Sequence, residues 1–163
     1  MQLANICAVI TGGVSGLGFA VAKHLVAHGG KVALFDINDA KAETALLELG
    51  NEHAAYFRTD VSNELQVAEN MQAAHAFMGS INTAVNCAGI LGAGRVLGRE
   101  ASMPLEQFSN TIKVNLIGSF NIAKAAAELM QHNNQGEDGE RGVIINTASV
   151  AAFDGQVGQE AYA

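Results

Sequence analysis

The chain has 163 residues, of which 49% are hydrophobic, so it is long enough for one domain with a substantial core. Its formal net charge of −7 at pH 7 argues against a general attraction to nucleic acid or to an anionic membrane, because both need an excess of Lys and Arg. We find neither an apolar span of ~18 residues nor a secretory leader, and Cys7 and Cys87 form no closely spaced framework, so we expect a cytoplasmic protein with reduced thiols.

A glycine-rich turn, residues 11–18, stands between the first predicted strand and the first predicted helix. Residues 7–10 are an apolar run that predicts a buried strand, and apolar spacing predicts a helix over residues 15–28. Glycines in such a turn let backbone N–H groups approach a pyrophosphate at the positive end of the helix dipole. The alternative is a turn that serves strand-to-helix packing alone. Phosphate binding makes five residues candidates for cofactor contact: Gly12, Ser15, Gly16, Leu17 and Gly18.

The spacing of this turn is Thr-Gly-x-x-x-Gly-x-Gly, beginning at Thr11, and not the common Gly-x-Gly-x-x-Gly. This pattern resembles the short-chain dehydrogenase/reductase family. The resemblance covers essentially the whole chain, and it implies a Rossmann-like α/β fold: a doubly wound parallel sheet with helices on both faces. We therefore expect residues 1–163 to form a single dinucleotide-binding domain.

The second predicted strand, residues 31–36, ends in Asp36 and completes a β-α-β unit. Asp36 lies eighteen residues after Gly18, close to the spacing of ~20 at which dinucleotide folds place an acid against the adenosine ribose. A carboxylate accepts hydrogen bonds from both ribose hydroxyls and repels a 2′-phosphate. The alternative is that Asp36 only begins a turn or caps the helix predicted over residues 38–49.

NAD is the predicted cofactor. Members of the family that use NADP tend to carry a basic residue in the glycine turn or just after the second strand, and neither Ser15 nor Ile37 is basic. His24 and His28 have a spacing that suits zinc, but no third ligand is evident in the sequence, so we predict no metal site.

A third predicted strand, residues 54–59, leads directly to Asp60 and Val61, and a helix is predicted over residues 64–78. The family resemblance implies that Asp60 binds the adenine amino group and that Val61 packs near the adenine ring. Taken alone, an Asp at this distance before a helix is equally typical of a helix N-terminus. Its position after a third strand favours the adenine role.

The fourth predicted strand and its exit cover residues 81–89. The exit matches the Asn-Asn-Ala-Gly motif of the family except for a cysteine at the second place, and a small thiol packs much as alanine does. In the family this segment stabilises the central sheet and lines the adenosine side of the cofactor. Four further residues are therefore candidates for cofactor contact: Asn86, Cys87, Ala88 and Gly89.

The loop over residues 91–106 is predicted at the carboxyl edge of the sheet, where substrate contacts usually lie. Its Arg95 and Arg99 suit a CoA phosphate, although arginines in a loop are commonly solvated. A long helix is predicted over residues 108–132, and in the family this helix contributes to the main subunit interface. The resemblance implies that Asn115 distorts this helix and binds a water in a proton relay. The alternative is an Asn that faces solvent or bonds to its own backbone.

A fifth buried strand, residues 143–149, ends in Ser149, and Tyr162 follows thirteen residues later. This pair resembles the catalytic Ser and Tyr of the family. A ketone that gains hydride develops alkoxide character on its oxygen, which needs a hydrogen-bond donor and an acid. Ser149 is the predicted donor, and Tyr162 is the predicted acid, or the base when an alcohol is oxidised.

A phenol with its ordinary pKa near ~10 is a poor base at neutral pH, and in the family a lysine four residues after the tyrosine supplies the positive charge that tunes it. The last residue of the chain is Ala163, one position after Tyr162. We therefore expect the chain to be the first part of a longer one, truncated after the fifth strand of the fold and inactive by itself. The alternative is a naturally short protein, and a lysine three residues past Ala163 in the gene would decide between the two.

Within the family, residues 141–159 are similar to the type II 3-hydroxyacyl-CoA dehydrogenases, also called type 10 17β-hydroxysteroid dehydrogenases. This resemblance implies NAD-dependent oxidation of 3-hydroxyacyl-CoA to 3-ketoacyl-CoA in fatty acid metabolism, by a homotetramer. Two alternatives stay open: another alcohol or ketone reductase of the family, acting on steroids or ketoacyl substrates, and a nucleotide-binding module without catalysis. In each case the predicted partner is a small molecule, and neither nucleic acid nor a membrane.

Overall fold

The structure is a computed structural model that describes residues 1–99 and 101–163. Its centre is a five-stranded sheet in the order β3-β2-β1-β4-β5, in which all pairs are parallel. The strands are β1 (Cys7–Thr11), β2 (Lys31–Asp36), β3 (Ala54–Arg58), β4 (Thr83–Asn86) and β5 (Val143–Asn146). The predicted fold class, a doubly wound parallel sheet, is confirmed.

In the described ranges, α-helices connect or follow the strands: α1 (Gly16–Ala27), α2 (Asp39–Leu49), α3 (Glu64–Met78), α4 (Leu105–Ile112) and α5 (Ser119–Met130). The long helix predicted over residues 108–132 differs from what the structure shows. It begins earlier, at Leu105, and a π-helical segment, Lys113–Gly118, joins α4 to α5. Among the described residues, no helix has the length and apolar character needed to cross a membrane.

The starts of α2 and α3 are fixed by side-chain caps. Asn38 Oδ1 accepts a hydrogen bond from Lys41 N at 3.3 Å, and Asn63 Oδ1 accepts one from Gln66 N at 3.1 Å. Such caps satisfy backbone donors that have no partner inside the helix. Because Asn38 and Asn63 serve as caps, Asp36 and Asp60 are not needed for that purpose.

The core lies on both faces of the sheet, because neighbouring strand residues point in opposite directions. In β1, Val9 faces the side covered by α3 and α5, whereas Ala8 and Ile10 face the side covered by α1 and α2. Central strand β2 is fully buried from Val32 to Phe35. The helices on both faces confirm the predicted layer arrangement.

The strand order reverses direction at β1, which has β2 on one side and β4 on the other. The helices that follow β1 and β4 therefore leave to opposite faces, and a crevice opens at the carboxyl ends of these two strands. Strand β5 was predicted to reach Ser149, but it ends at Asn146. Its outward residues Val143 and Ile145 are 41% and 49% exposed.

Candidate functional site

A cavity of about 400 Å³ opens at this crevice. Its walls come from the glycine turn, the carboxyl ends of β2 and β3, and the exit of β4. Most of the predicted cofactor residues lie together here: Gly12, Ser15, Gly16, Leu17, Gly18, Asp36, Asp60, Val61, Cys87, Ala88 and Gly89.

The glycine turn packs closely against the exit of β4 and against its own backbone. Gly12 has φ +63°, and a Cβ added there would lie 3.1 Å from Ala88 N. A Cβ added at Gly18 would overlap Gly12 O and lie 3.0 Å from Thr11 O. The turn is therefore packed tightly against backbone, and the first residues of α1, Gly16 to Gly18, line the cavity, an arrangement that suits a pyrophosphate.

Thr11 connects the glycine turn to the exit of β4, and it was not among the predicted site residues. Its Oγ1 accepts hydrogen bonds from Cys87 N and Ala88 N, each at 3.0 Å, and the residue is almost completely buried. One hydroxyl thus satisfies two backbone donors at the floor of the cavity. The signal in the sequence was the threonine that precedes the first glycine.

The Asp36 carboxylate faces the glycine turn. Its Oδ1 accepts a hydrogen bond from Asn38 N at 3.0 Å, and its Oδ2 accepts a longer one from Val14 N at 3.4 Å. Two backbone donors orient the group, and it lines the cavity. This position leaves lone pairs of the carboxylate available to ribose hydroxyls.

Asp60 and Val61 form the wall after β3. Asp60 Oδ1 accepts hydrogen bonds from Ser62 N and Ser62 Oγ, which fix the local turn. The Val61 carbonyl accepts a hydrogen bond from Asn121 Nδ2 at 3.0 Å, and a Cβ added at Gly118 would overlap the Val61 side chain. Helix α5 and the π segment therefore support this wall from behind.

Asn86 is the exception among the predicted cofactor residues, because it does not line the cavity. It is the last residue of β4 and is buried, and its Nδ2 donates to Asn146 Oδ1 at 2.8 Å and to Ser119 O at 3.2 Å. Asn86 thus ties β4 to β5 and α5, which agrees with the sheet-stabilising part of its predicted role. Five other lining residues were not predicted: Phe35, Ile37, Thr59, Ile90 and Val114.

Asn115 lies in the π-helical segment and holds the loop after β4. Its Oδ1 accepts a hydrogen bond from Ile90 N and its Nδ2 donates to Ile90 O, both at 2.9 Å. The Asn115 side chain therefore pairs with a residue 25 positions away and not with its own helix. The predicted distortion of the helix at this residue is present.

Ser149 and Tyr162 lie beyond β5, outside the cavity walls. Ser149 Oγ accepts a hydrogen bond from Ala151 N at 3.2 Å and caps a short 3-10 helix, Val150–Ala152. Tyr162 is half-buried, and within the described part of the chain no hydrogen bond joins its hydroxyl to Ser149. Both residues therefore lie after β5, and no hydrogen bond in the described part of the chain pairs their hydroxyls.

The segment that carries Tyr162 is connected to the loop after β4. Gly94 N donates to Gly158 O at 2.8 Å, and Gly94 forms an isolated parallel bridge with Gln159. Gln107 Nε2 on α4 donates to Ala93 O at 2.7 Å and supports this contact. Arg95, which the sequence offered for a CoA phosphate, lies next to it and is exposed. The described residues hold no group of three or more His, Cys, Asp and Glu side chains suited to a metal ion.

The parallel sheet with helices on both faces and the glycine turn at its crevice define a Rossmann-like α/β protein. The family model described as short chain dehydrogenase matches residues 6–163. The chain belongs to the short-chain dehydrogenase/reductase family, as its glycine pattern predicted.

Curated relatives include 3-hydroxyacyl-CoA dehydrogenase type-2 of Bos taurus, which is 44% identical over 97% of this chain and 61% of that protein. The protein of the same name from Homo sapiens is 43% identical over the same shares of the two chains. This chain therefore spans about three fifths of the length of these relatives.

Two solved structures show the same fold. The crystal structure of 3-hydroxyacyl-CoA dehydrogenase type-2 from Mycobacterium avium superposes with a TM-score of 0.87 at 34% identity, covering 95% of this chain and 61% of that chain. The structure of 7α-hydroxysteroid dehydrogenase complexed with NADH and 7-oxo glycochenodeoxycholic acid has a TM-score of 0.85 at 26% identity, covering 99% of this chain and 60% of that chain.

Proposed function

We propose that the natural protein containing this chain is an NAD-dependent dehydrogenase that oxidises 3-hydroxyacyl-CoA to 3-ketoacyl-CoA. The observation that supports NAD most directly is the Asp36 carboxylate, held by two backbone amides at the edge of the glycine-turn cavity. The substrate class rests on the relatives named 3-hydroxyacyl-CoA dehydrogenase type-2. In this proposal residues 1–163 form a single dinucleotide-binding domain.

The cavity residues suit the pyrophosphate and adenosine parts of a dinucleotide. The turn that contains Gly12, Gly16 and Gly18 offers backbone amides to the pyrophosphate, and Ser15 and Leu17 flank it. Asp36 accepts hydrogen bonds from the adenosine ribose and disfavours a 2′-phosphate. Asp60 and Val61 border the adenine, and the exit of β4 closes the opposite wall.

When bound, NAD accepts a hydride from the alcohol carbon. In the proposed reaction the Ser149 hydroxyl donates a hydrogen bond to the substrate oxygen, while the Tyr162 phenolate oxygen takes the alcohol proton. Asn115 positions the loop after β4 through Ile90, and in this proposal it binds a water in the proton relay.

Assembly and location complete the proposal. The face formed by α4, the π segment and α5 exposes large apolar side chains, among them Leu116 at 64% and Phe120 at 63%. An apolar face of this kind favours contact between copies of the chain, so we propose a homotetramer. Cys7 and Cys87 are both unpaired, which supports a reducing, cytoplasmic location.

Acetoacetyl-CoA and NADH, mixed with the natural protein, test the proposal directly. NADH absorbance should decay, and the Tyr162→Phe variant should turn over about a thousandfold more slowly because it lacks the acid. NADH affinity should be the same in both proteins, since Tyr162 lies outside the cavity walls. Wild-type protein that binds NADH without any turnover of short acyl-CoA substrates would contradict the substrate class.

A steroid alcohol is the second candidate substrate. The fold likeness to 7α-hydroxysteroid dehydrogenase favours it, at 26% identity. The same assay with a hydroxysteroid and NAD separates the two candidates, because the better substrate has the higher kcat/KM. Absence of turnover with both classes, together with intact NADH binding, would instead favour a nucleotide-binding module.

A further inference from the structure

A three-residue polar network lies beside Asp36, on the side of β2 away from the glycine turn. Tyr56 Oη is 2.7 Å from Asp39 Oδ1 and 3.0 Å from Asp36 O. Arg58 Nε donates to Asp39 Oδ2 at 3.1 Å, and these two side chains form an ion pair. Asp39 therefore joins the first turn of α2 to two residues of β3.

Arg58 is the register partner of Asp36 on the neighbouring strand, so a cation stands next to the proposed ribose acid. Asp36 and Ile37 line the cavity, but Arg58 does not. Its guanidinium is directed at Asp39 on α2 instead. A free guanidinium at this edge would attract a phosphate, since its planar donors match phosphate oxygens in pairs.

Asp39 is charged at neutral pH. The hydrogen bond from Tyr56 holds the pKa of its carboxyl below the usual range, and Arg58 lowers that pKa further. Asn38, and not Asp39, supplies the side-chain cap of α2. The Asp39 carboxylate is thus not required as a cap, and its side-chain partners are Tyr56 and Arg58.

We propose that Asp39 and Tyr56 are positioning residues for cofactor selectivity, which hold the Arg58 guanidinium away from the ribose subsite. This inference rests on the proposed NAD-binding function and assigns part of its selectivity to residues outside the cavity. Asp36 repels a 2′-phosphate directly, whereas Asp39 removes the cation that would attract one. A change at Asp36 alone therefore leaves Arg58 paired with Asp39. Conversion of the protein from NADH binding to NADPH binding also requires that Arg58 be released from Asp39.

Affinities of the natural protein for NADH and for NADPH, measured by fluorescence titration, test this inference. Asp36→Ser should weaken NADH binding about tenfold, because two ribose hydrogen bonds to a charged acceptor are lost. Adding Asp39→Asn should tighten NADPH binding by about a further fivefold, the upper range for an exposed charge pair. Asparagine keeps an acceptor for Tyr56, so β3 and α2 stay connected.

Two variants separate the mechanism from a general change of charge. Glu43→Gln, combined with Asp36→Ser, removes an exposed acid from the same helix and should leave NADPH affinity at the value for Asp36→Ser alone. Adding Arg58→Gln to the Asp36→Ser/Asp39→Asn protein should cancel the fivefold gain, because the released cation is gone. The melting temperature of each protein verifies that it is folded.

If the Asp36→Ser/Asp39→Asn protein bound NADPH no more tightly than the Asp36→Ser/Glu43→Gln protein, the inference would be overturned. A gain that survives Arg58→Gln would overturn it as well, since the effect would then not pass through that cation. If either of these two results occurred but the wild-type protein still bound NADH selectively, the inference would fail and the proposed function would stand. Wild-type protein that binds neither dinucleotide contradicts the proposed function and the inference together.

Discussion

The two sides of the sheet's carboxyl edge are built differently. On the cofactor side, where we propose that NAD binds, backbone packs on backbone: the glycine turn lies against the exit of β4, and the neighbouring β2 is buried from Val32 to Phe35. On the substrate side, where we propose that the alcohol binds, β5 is half-exposed and the Tyr162 segment is held by loop contacts such as Gly94 to Gly158. Affinity for the cofactor should therefore depend on steric fit, and catalysis on how loops are positioned.

This contrast leads to an order of sensitivity. Buried backbone contacts have no room to relax, so changes there should affect folding and cofactor binding together. Loop contacts are fewer and more exposed, so changes there should affect turnover before they affect stability. The expected effects therefore decrease from the most buried contact to the most exposed one.

Gly18→Ala should have the largest effect. The added Cβ would overlap Gly12 O, and that carbonyl cannot move without displacing the turn. We expect the free energy of unfolding to fall by about 3 kcal/mol and NADH affinity to fall about thirtyfold. Urea unfolding and fluorescence titration measure the two quantities.

Gly50→Ala is the matched control for that variant. Gly50 has φ +83° and no heavy atom within 4 Å of an added Cβ, and it lies at the end of α2, away from the cavity. Gly50 also has ψ 130°, a combination that side chains rarely adopt, so alanine should cost about 2 kcal/mol with no change in NADH affinity. If both alanine variants bound NADH equally well, the glycine turn would not be the steric basis of the cavity.

Thr11→Val should have the next largest effect. Valine has nearly the same shape as threonine but leaves Cys87 N and Ala88 N without their acceptor. Two unpaired donors at a buried site should lower the free energy of unfolding by about 2 kcal/mol. Thr11→Ser keeps the hydroxyl and should retain most of the stability. Equal unfolding midpoints for the valine and serine variants would exclude this account.

The sequence was sufficient for the parts of the site that follow from strand ends. Asp36 and Asp60 were placed correctly at the carboxyl edge because Asp36 ends a largely apolar run that predicts a strand and Asp60 follows another. The glycine turn was placed for the same reason. Residues adjacent to a strand end in a parallel sheet need no long-range information, since all the ends meet at one edge.

The sequence was insufficient where contacts are long-range. Asn86 is next to three lining residues, yet strand alternation points it inward to Asn146 and Ser119, which periodicity over a four-residue strand could not reveal. The π-helical segment leaves apolar spacing almost unchanged, so only Asn115 hinted at it. The distance between the Ser149 and Tyr162 side chains depends on loops, and sequence spacing does not fix it.

Asn115→Ala tests whether Asn115 serves mainly the cofactor side or the substrate side. It removes two hydrogen bonds to Ile90, which lines the cavity, while the glycine turn stays intact. We expect stability to fall by about 1 to 2 kcal/mol, and turnover to fall more than NADH affinity does. Asn110→Ala, at an exposed position on the preceding helix, is the control and should change neither quantity. An affinity loss larger than the loss in kcat would assign Asn115 to the cofactor side.

Tyr56→Phe should have the smallest effect at neutral pH and a distinct one in alkali. Burial raises the pKa of Tyr56, and hydrogen bonding to Asp39 raises it further, so the native hydroxyl stays protonated where the unfolded one ionises, near pH ~10. Its stabilising contribution is therefore complete below that pH and is lost as pH rises toward the native pKa. The difference in melting temperature between wild type and Tyr56→Phe should be constant from neutral pH to about pH 9 and should shrink above about pH 10, in proportion to ionisation of the unfolded phenol. A difference that stays constant through this range would mean that Tyr56 ionises equally in both states, and that burial and Asp39 do not hold its hydroxyl at this edge of the sheet.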